Sequence, residues 1–303
     1  MTTSKDPAKV IESIAQREKN KKKAIVTVQP VIEKNFQFPL LFGENTQAVS
    51  NALARSALFA AVKERGQFND YVLVGEINGV KIEFSGEQFN QDDHDTLLQL
   101  VRMSVNKPYG ANIQLPVNVV LRGMGRKTHQ EQRRQLFEQI DRLVRGTIRL
   151  QTPAQKYRGH LVNDASTPQD QLLLPQHRRH LTYSLNPNFA QLFAETSYTL
   201  FDLQERNKLR GRGSELAKWL HLWLIGNAVQ YPHKVETIRY LCGSRTKELF
   251  KFRQTMRYAL DLLKTAHIIS DWHFDDKDLV VIERNPTPSQ LKHLTKKQAG
   301  IKK

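Results

Sequence analysis

Cysteine and long apolar segments are the two features that this sequence most obviously lacks. Cys242 is the only cysteine among 303 residues, which excludes an internal disulfide bond and a zinc site built from several cysteines. The chain has no apolar run of the length that a membrane-spanning helix needs, and the start of the chain is polar. We therefore expect a cytoplasmic protein without a membrane segment or a secretory signal.

Motifs for nucleotide or metal chemistry are missing as well. Residues 123–128 end in Lys-Thr, but Arg126 stands where a phosphate-binding loop requires glycine, so we interpret this segment as a turn before a helix. Asp92, Asp93 and Asp95 leave two interpretations open. They either bind a cation or favour the positive end of the helix that follows, and we prefer the second interpretation. We expect no cofactor, no metal site and no enzyme activity.

Positive charge, in contrast, is plentiful and unevenly placed. Lys and Arg outnumber Asp and Glu by 46 to 30, which gives a formal net charge of +16. Such an excess favours a polyanionic partner, most simply nucleic acid, over the alternative of a merely soluble basic protein. Residues 122–158 and 206–264 are strongly basic, whereas residues 70–100 are acidic. The clustering of the charge supports the first alternative.

Length and composition indicate two folded domains between polar ends. An apolar content of 39% over 303 residues is enough for two ordinary hydrophobic cores. We interpret residues 1–50 as a flexible basic arm and linker, and residues 286–303 as a basic tail that adds nonspecific phosphate contacts. Residues 51–200 and 201–285 are then the two domains.

The same order of elements is predicted in both domains. The first copy comprises helices at 93–105, 117–121 and 128–145 and strands at 147–151 and 180–185. Its third helix opens with a capping box of Thr128 and Glu131 and ends at Gly146. The second copy comprises helices at 214–229, 234–241 and 244–265 and strands at 268–274 and 279–283.

Three helices followed by a two-stranded hairpin are typical of the winged helix, a variant of helix-turn-helix. The predicted fold class is therefore α+β and mainly helical, with two tandem winged-helix domains and basic flexible termini.

The third helix of the second copy carries the best candidates for DNA contact. Its apolar residues share one face, and these are Leu249, Phe252, Met256, Leu260 and Leu263. The predicted contact residues lie on the opposite face and at the N-terminal end, and they are Ser244, Arg245, Thr246, Lys247, Lys251, Gln254, Arg257 and Tyr258. Arg and Lys reach guanine edges, Gln pairs with adenine, and Ser or Thr can bond phosphate. The alternative is an ordinary solvated face.

Two further basic sets are weaker candidates. The first belongs to the third helix of the first copy, whose outer face and start offer Arg126, Lys127, Arg133, Arg134, Arg142 and Arg145. That helix could equally pack on a second subunit. The second set lies in a basic hinge that starts at Arg206, where Arg210 and Arg212 could follow phosphates because Gly211 and Gly213 make the backbone mobile. Its alternative is a plain solvated linker.

Several strings in the chain resemble the TrfA family of plasmid replication initiators. They are Ala54–Phe59, Phe84–Gly86 with Asp92 and Asp93, and above all Tyr231–Ser244, which closely resembles the second DNA-binding domain of the family. Residues 185–193 are similar to the wider group of iteron-binding initiators. The resemblance extends from about Ala54 to Glu283.

This resemblance implies both a fold and a function. It implies two winged helices that bind direct repeats, or iterons, in double-stranded DNA at a plasmid origin. It also implies melting of the adjacent AT-rich DNA, recruitment of host DnaA and the replicative helicase, and conversion of inactive dimers to active monomers with the help of chaperones.

A short peptide upstream is similar to those that dock on the bacterial sliding clamp. Gln37, Leu40 and Phe42 fit the Gln-x-x-Leu-x-Phe pattern, although Pro39 within it is a departure. Such a peptide inserts Leu and Phe into an apolar pocket while Gln supplies a hydrogen bond. The alternative is a local hydrophobic patch that covers the first domain.

Two other functions remain as alternatives to the initiator. A transcriptional repressor with the same fold would also bind DNA, and the family resemblance is what disfavours it. An enzyme that nicks DNA needs a His-apolar-His metal pair, and His177 and His180 come closest without forming one.

Overall fold

The computed structural model describes most of the chain beyond the N-terminal arm. The described residues are 45–77, 79–108, 110–152, 156–167, 180–193, 198–227, 231–284 and 295. They all belong to one compact unit, Gln37–Lys303, and the other unit, Met1–Phe36, lies outside the described residues. The clamp-like peptide at 37–42 and, apart from Thr295, the basic tail at 286–303 lie outside them too.

Helices are distributed along the whole described part of the chain. They are α1 (Asn51–Ala54), α2 (Gln91–Met103), α3 (Val117–Gly123), α4 (Gln130–Arg145), α5 (Leu203–Lys208), α6 (Ser214–Ile225), α7 (Val235–Leu241) and α8 (Leu249–Thr265). A 3-10 helix covers Pro187–Phe193. Of the predicted helices, those near 93–105, 117–121, 214–229 and 234–241 are confirmed within a few residues.

Strands are more numerous than the sequence predicted. They are β1 (Thr46–Ser50), β2 (Phe59–Ala60), β3 (Gln67–Ile77), β4 (Val80–Glu87), β5 (Phe89–Asn90), β6 (Ile113–Pro116), β7 (Thr147–Gln151), β8 (Lys156–Gly159), β9 (Val162–Ser166), β10 (His180–Leu185), β11 (Tyr198–Asp202), β12 (His233–Lys234), β13 (Asp271–Phe274) and β14 (Leu279–Glu283). The fold class α+β is confirmed. Of the described residues, 41% are helical and 32% lie in strands, so the expectation of a mainly helical chain is not confirmed.

The first core lies between two antiparallel sheets and the helices α2, α3 and α4. One sheet has the strand order β3-β4-β7-β8 and the other has the order β6-β10-β9. Aromatic rings of Phe59, Phe84 and Phe89 pack together at its centre. Leu100 on α2 and Leu143 on α4 are buried against this cluster, as the helical spacing of their apolar neighbours predicted.

The strands of the first copy pair differently from the prediction. Strand β7 was expected to pair with residues 180–185, but it pairs with β4 and β8, while β10 pairs with β6 and β9. Strand β8 starts only five residues after β7 ends, and closing so short a loop costs less entropy than closing the long segment before β10. The local hairpin therefore forms instead.

Residues 46–50 are part of the folded core, although the sequence assigned them to the linker. They form β1, which pairs antiparallel with β11 from Thr46 opposite Asp202 to Ser50 opposite Tyr198. Ala48 and Val49 are buried. The strand was missed because two of its five residues, Gln47 and Ser50, are polar yet buried, which hides the apolar alternation of a strand.

The second core is built from α6, α7, α8 and a small sheet. Trp219, Leu220 and Trp223 of α6 pack against the buried face of α8. The sheet has the order β12-β14-β13, and β13 and β14 form an antiparallel hairpin around the polar turn 275–278. The predicted hairpin of the second copy is thus confirmed, although its first strand begins at Asp271 rather than at residue 268.

Two predicted helix starts are wrong. Helix α4 begins at Gln130 with His129 at its N-cap and without a side-chain cap bond, so Thr128 does not form a capping box. Helix α8 begins at Leu249 rather than near Ser244. The hydroxyl of Ser244 accepts a bond from the backbone N–H of Thr246 at 3.3 Å, and such a local bond competes with the helix.

Apolar contacts and a buried indole join the two cores. A small cluster takes Val49 and Leu98 from the first half of the chain and Phe201, Leu222 and Ile225 from the second. The indole N–H of Trp219 also donates to the carbonyl of Ser56 at 3.0 Å. The two predicted domains are therefore packed against one another rather than tethered by a loose linker.

A network of charged side chains completes this junction. Its members are Asp92 and Asp95 on α2, Arg206 on α5, and Glu215 and Lys218 on α6, and we call them the junction network.

Arg206 lies at the centre of the junction network and is only 1% exposed. Its guanidinium donates to Asp95 at 2.6 Å, to the carbonyl of Lys218 at 2.8 Å and to the side-chain oxygen of Gln91 at 3.0 Å. A buried cation is tolerated only when its donors are satisfied in this way. The predicted mobile hinge thus begins with a residue that is fixed inside the protein.

Replacing Arg206 with Met should lower the free energy of unfolding by about 3–5 kcal/mol, because the change leaves a buried carboxylate without its main partner. Urea denaturation followed by circular dichroism measures the loss. The control is Lys208→Met on the same helix, where the side chain is exposed and the change should stay within about 0.5 kcal/mol. Equal denaturation midpoints for the two variants would show that the guanidinium does not hold the junction.

Candidate nucleic-acid interface

Helix α8 turns a polar stripe to solvent, as its periodicity predicted. Phe252, Met256, Leu260 and Leu263 are buried on the inner side. The outer side exposes Phe250, Lys251, Gln254 and Arg257, and we call these four residues the contact stripe. Phe250 was not among the predicted contact residues. The prediction considered only polar residues and tyrosine for this face. Phe250 nevertheless lies on the same side of the helix as Gln254, because it stands four residues before it.

Bonds to the following hairpin hold α8 in place. Arg253 donates to both carboxylate oxygens of Asp278 in the hairpin turn, at 2.9 and 2.8 Å. The guanidinium of Arg257 lies 5.3 Å from the ring centre of Phe274 on β13. A paired carboxylate and an aromatic face both restrict a long side chain. The contact stripe is thus presented in a defined orientation relative to the hairpin.

The predicted residues before the helix form a loop. Arg239 on α7 donates to the carbonyls of Lys247 at 2.7 Å and of Thr246 at 3.4 Å, which fixes this loop against α7. Arg245 and Lys247 are exposed, whereas Ser244 and Thr246 are partly buried. Ser244, Arg245, Thr246 and Lys247 therefore lie at the N-terminal end of the stripe, as predicted, but they are not helical.

The segment between the two cores is docked on both of them. Arg210 donates to the carbonyl of Gly125 at 2.7 Å, next to the start of α4. Arg212 stacks over the ring of Tyr258 on α8, with 4.0 Å between the guanidinium carbon and the ring centre. These contacts hold the basic segment against α8 and against the segment between α3 and α4.

Gly213 is required at this docking point. Its φ is +82°, and a Cβ there would lie 2.9 Å from the backbone nitrogen of Ala259 on α8. Only glycine combines this backbone conformation with so close an approach. The expectation that Gly211 and Gly213 make the hinge mobile is therefore wrong for Gly213, whose lack of a side chain serves close packing.

Several arginines of the first set face protein groups rather than solvent. Arg126 is 14% exposed and donates to the side chain of Gln139 at 2.9 Å. Arg142 was expected on the outer face of α4, but it donates to the buried carboxylate of Asp93 at 3.0 Å. Both side chains pair with carboxylates in the first turn of α2, Arg126 with Asp92 and Arg142 with Asp93. Asp92 and Asp93 lie in the first turn of α2, and Asp93 accepts a bond from the backbone N–H of the N-cap Asn90, so the preferred interpretation of the aspartates is right for these two.

The remaining residues of the first set lie at the surface. Lys127 is exposed beside the start of α4. Arg134 is exposed and pairs with Glu131 and Glu138 on its own helix. Arg133 is partly buried and donates to Asn118 at 3.2 Å. Pairing with exposed carboxylates is weak, so it leaves Arg134 available for another anion.

A polar cleft of about 570 Å³ separates α4 from the segment that joins the cores. Arg126 and Arg210 line it together with the junction network, and Lys63 lies at its edge and in the adjoining groove beside Arg212 and Arg245. No sequence pattern pointed to Lys63, because it stands outside the basic runs. The cleft and the groove share Lys63 and Glu215, so Arg126 and Arg210 in the cleft adjoin Arg212 and Arg245 in the groove.

Carboxylates of the junction network titrate unusually. Burial alone would raise the pKa of Asp95, but the Arg206 and Lys218 cations hold it well below its usual range. Burial and the neighbouring Asp92 carboxylate raise the pKa of Glu215 to about 7. Asp92 and Asp95 both pair with the ammonium group of Lys218, so protein cations occupy the carboxylates that were considered as cation ligands.

The described part of the chain has neither a metal-binding cluster nor a membrane-spanning helix. Among those residues, no group of three or more His, Cys, Asp or Glu side chains could hold a metal ion. No helix there combines the length and the apolar content that crossing a membrane demands.

A similar α+β architecture occurs in a solved structure. The fold is similar to that of a crystal structure of domain 2 and domain 3 of RctB, with a TM-score of 0.54 over 77% of this chain and 96% of that chain, at 15% identity. At this level of identity, the likeness concerns the fold alone.

The family follows from the sequence. A family model described as TrfA protein matches residues 9–284, and the chain therefore belongs to the TrfA family. A relative, the plasmid replication initiator protein TrfA of Escherichia coli, is 23% identical over 239 residues. The match covers 77% of this chain and 61% of the length of that relative. The resemblance seen in the sequence is thus confirmed.

The raised pKa of Glu215 predicts a pH-dependent stability. Its pKa is about 7 in the folded protein and 4.5 in an ordinary environment, so between these values the folded state holds one more proton than the unfolded chain. Stability is therefore fully present below pH 4.5 and falls as the pH rises to 7. Compared with Glu215→Gln, the wild type should lose up to about 3 kcal/mol across this window.

Urea denaturation of both proteins at several pH values measures this difference, in which the titration of all other groups cancels. Glu236→Gln, at an exposed position on α7, is the matched control and should follow the wild type. A constant difference between Glu215→Gln and wild type from pH 4.5 to 7 would contradict the prediction.

Proposed function

We propose that this chain is a plasmid replication initiator that binds direct repeats of double-stranded DNA at its origin through two winged-helix domains. The first domain would cover residues 51–200, with β1 added to it, and the second residues 201–285. Membership of the TrfA family supports the role at the origin, and the arrangement of the second core supports the mode of binding.

The element order of the second core supports a winged helix. Helix α6, strand β12, helices α7 and α8, and the hairpin β13–β14 follow one another in that order, with β12 completing the sheet. In such domains the last helix lies in the major groove and the hairpin flanks it. Helix α8 would then enter the groove, and the turn 275–278 would contact the adjacent backbone.

The contact stripe on α8 is the single observation that carries the proposal. Lys251 and Arg257 can donate to guanine O6 and N7, and Gln254 can pair with adenine. Arg245, Lys247, Thr246 and Ser244 lie at the N-terminal end of the helix, where phosphate contacts are expected. Tyr258 supports Arg212 at the side of the stripe.

The other basic residues would bind the DNA backbone. Arg210 and Arg212 stand exposed between the two cores, where they can follow phosphates from one groove contact to the next. Lys127 and Arg134 extend this path onto α4, with Arg133 beside them. Arg126 is already held by Gln139 and Asp92, so we leave it out of the contact set.

The finer parts of the proposal rest on the family resemblance. They are opening of the origin, contacts with DnaA, the replicative helicase and chaperones, dimer formation, and docking of Gln37, Leu40 and Phe42 on the sliding clamp. The alternative function is a winged-helix transcriptional repressor. A footprint over tandem repeats in a plasmid origin supports the initiator, whereas protection confined to a promoter palindrome supports the repressor.

Removing a base-reading side chain should weaken binding to the preferred repeat. Arg257→Ala and Lys251→Ala should each cost about 1–3 kcal/mol of binding free energy if the side chain contacts a base edge. Fluorescence anisotropy with a labelled duplex measures the affinity. Lys264→Ala removes the same charge at the far end of α8, where Lys264 pairs with Asp271, and should bind as the wild type does. Wild-type affinity in the first two variants would refute the placement of α8.

Binding should also depend steeply on salt, because phosphate contacts release condensed counterions. We expect the logarithm of the binding constant to fall linearly with the logarithm of the salt concentration. Arg210→Ala and Arg212→Ala should each lower the slope by about 1 and weaken binding to all duplexes alike. Titrations between low and physiological salt test this, and a flat response would exclude a function dominated by DNA.

A further inference from the structure

Phe250 is an unusual residue for the centre of a polar stripe. It is 65% exposed, although its neighbours Phe252 and Leu249 turn toward the core. Because each residue of a helix advances by 100°, Phe250, Gln254 and Arg257 fall within an arc of about 60°. Phe250 therefore shares the middle of the contact stripe with the two side chains that have the clearest base-reading chemistry.

The position of Phe250 along α8 is as informative as its direction. It is the second residue of the helix, and the N-terminal residues of a recognition helix are those that approach base edges. The ammonium group of Lys251 lies 5.8 Å from the centre of its ring. A phosphate or a guanine that binds this lysine would therefore bring the bases close to the ring of Phe250.

A phenyl ring forms no hydrogen bond with the polar atoms of a base edge. The major groove displays one apolar group, the C5 methyl of thymine, and aromatic side chains can pack on it. We propose that Phe250 contacts a thymine methyl group in the bound repeat and so determines specificity at that base pair. This inference rests on the proposed function, because it requires α8 to lie in the major groove.

Replacing thymine with deoxyuridine removes the methyl group without changing the base pairing. The probe is the duplex that the full chain selects from a random-sequence library, with each thymine replaced by deoxyuridine in turn. At one or two positions the wild type should bind about fourfold more weakly, the effect expected for burying one methyl-sized group. Phe250→Ala should bind the thymine and the deoxyuridine duplexes equally at those positions.

Tyr240→Ala is the matched control. Tyr240 is 79% exposed but lies on α7 rather than on α8, so this variant should keep the fourfold loss. Phe250 is at the surface, and Phe250→Ala should therefore show the circular dichroism spectrum and melting temperature of the wild type. Phe250→Gln repeats the comparison with a polar side chain of similar length, and it should also be insensitive to the methyl group.

Either of two results would overturn the inference. One is a wild type that binds every deoxyuridine duplex as tightly as the thymine duplex, and the other is a Phe250→Ala variant that retains the fourfold loss. If Lys251→Ala and Arg257→Ala weaken binding in the same assay, only the inference about Phe250 fails. If those variants bind as the wild type does, the proposed function fails together with it.

Discussion

The buried pairing of Arg206 with Asp95 is the interaction on which the rest of the arrangement depends. A guanidinium withdrawn from water is stable only when its donors meet acceptors, and here the acceptors belong to α2 and α6. This requirement fixes the orientation of α5 and α6 relative to the first core. Because α8 packs on α6, it also fixes where the contact stripe stands relative to the basic residues of the first core.

The basic segment between the two cores is held in place by both of them. Arg210 bonds the turn before α4 and Arg212 stacks on Tyr258 of α8, so the basic side chains between the cores are ordered before any ligand arrives. A surface that is already ordered loses less entropy on binding than a flexible one. Arg239 and Arg253 act in the same sense within the second core, since each ties α8 or the loop before it to a neighbouring element. These bonds hold the basic side chains in place within the folded protein.

Much of the second core could be predicted from the sequence. The buried residues of α8 and α6 recur at helical spacing, and the polar turn 275–278 separates two apolar strands. The first core was harder. The strand β1 contains buried polar residues, and β7 forms its hairpin with a strand that carries little apolar signal. The start of α8 was also difficult to predict, because a local bond at Ser244 is joined by bonds from Arg239, on another helix, to the carbonyls of Thr246 and Lys247.

The sequence by itself determined the family, the α+β class and the face of α8 that turns to solvent, because these follow from local strings and from apolar periodicity. Only the tertiary structure decided which basic residues stay at the surface. Lys251 and Arg257 are exposed, whereas Arg126, Arg142 and Arg206 meet acceptors inside the protein. The reason is that local sequence does not distinguish an arginine that pairs with a carboxylate far along the chain from one that binds a phosphate. Only folding brings that carboxylate close to the arginine.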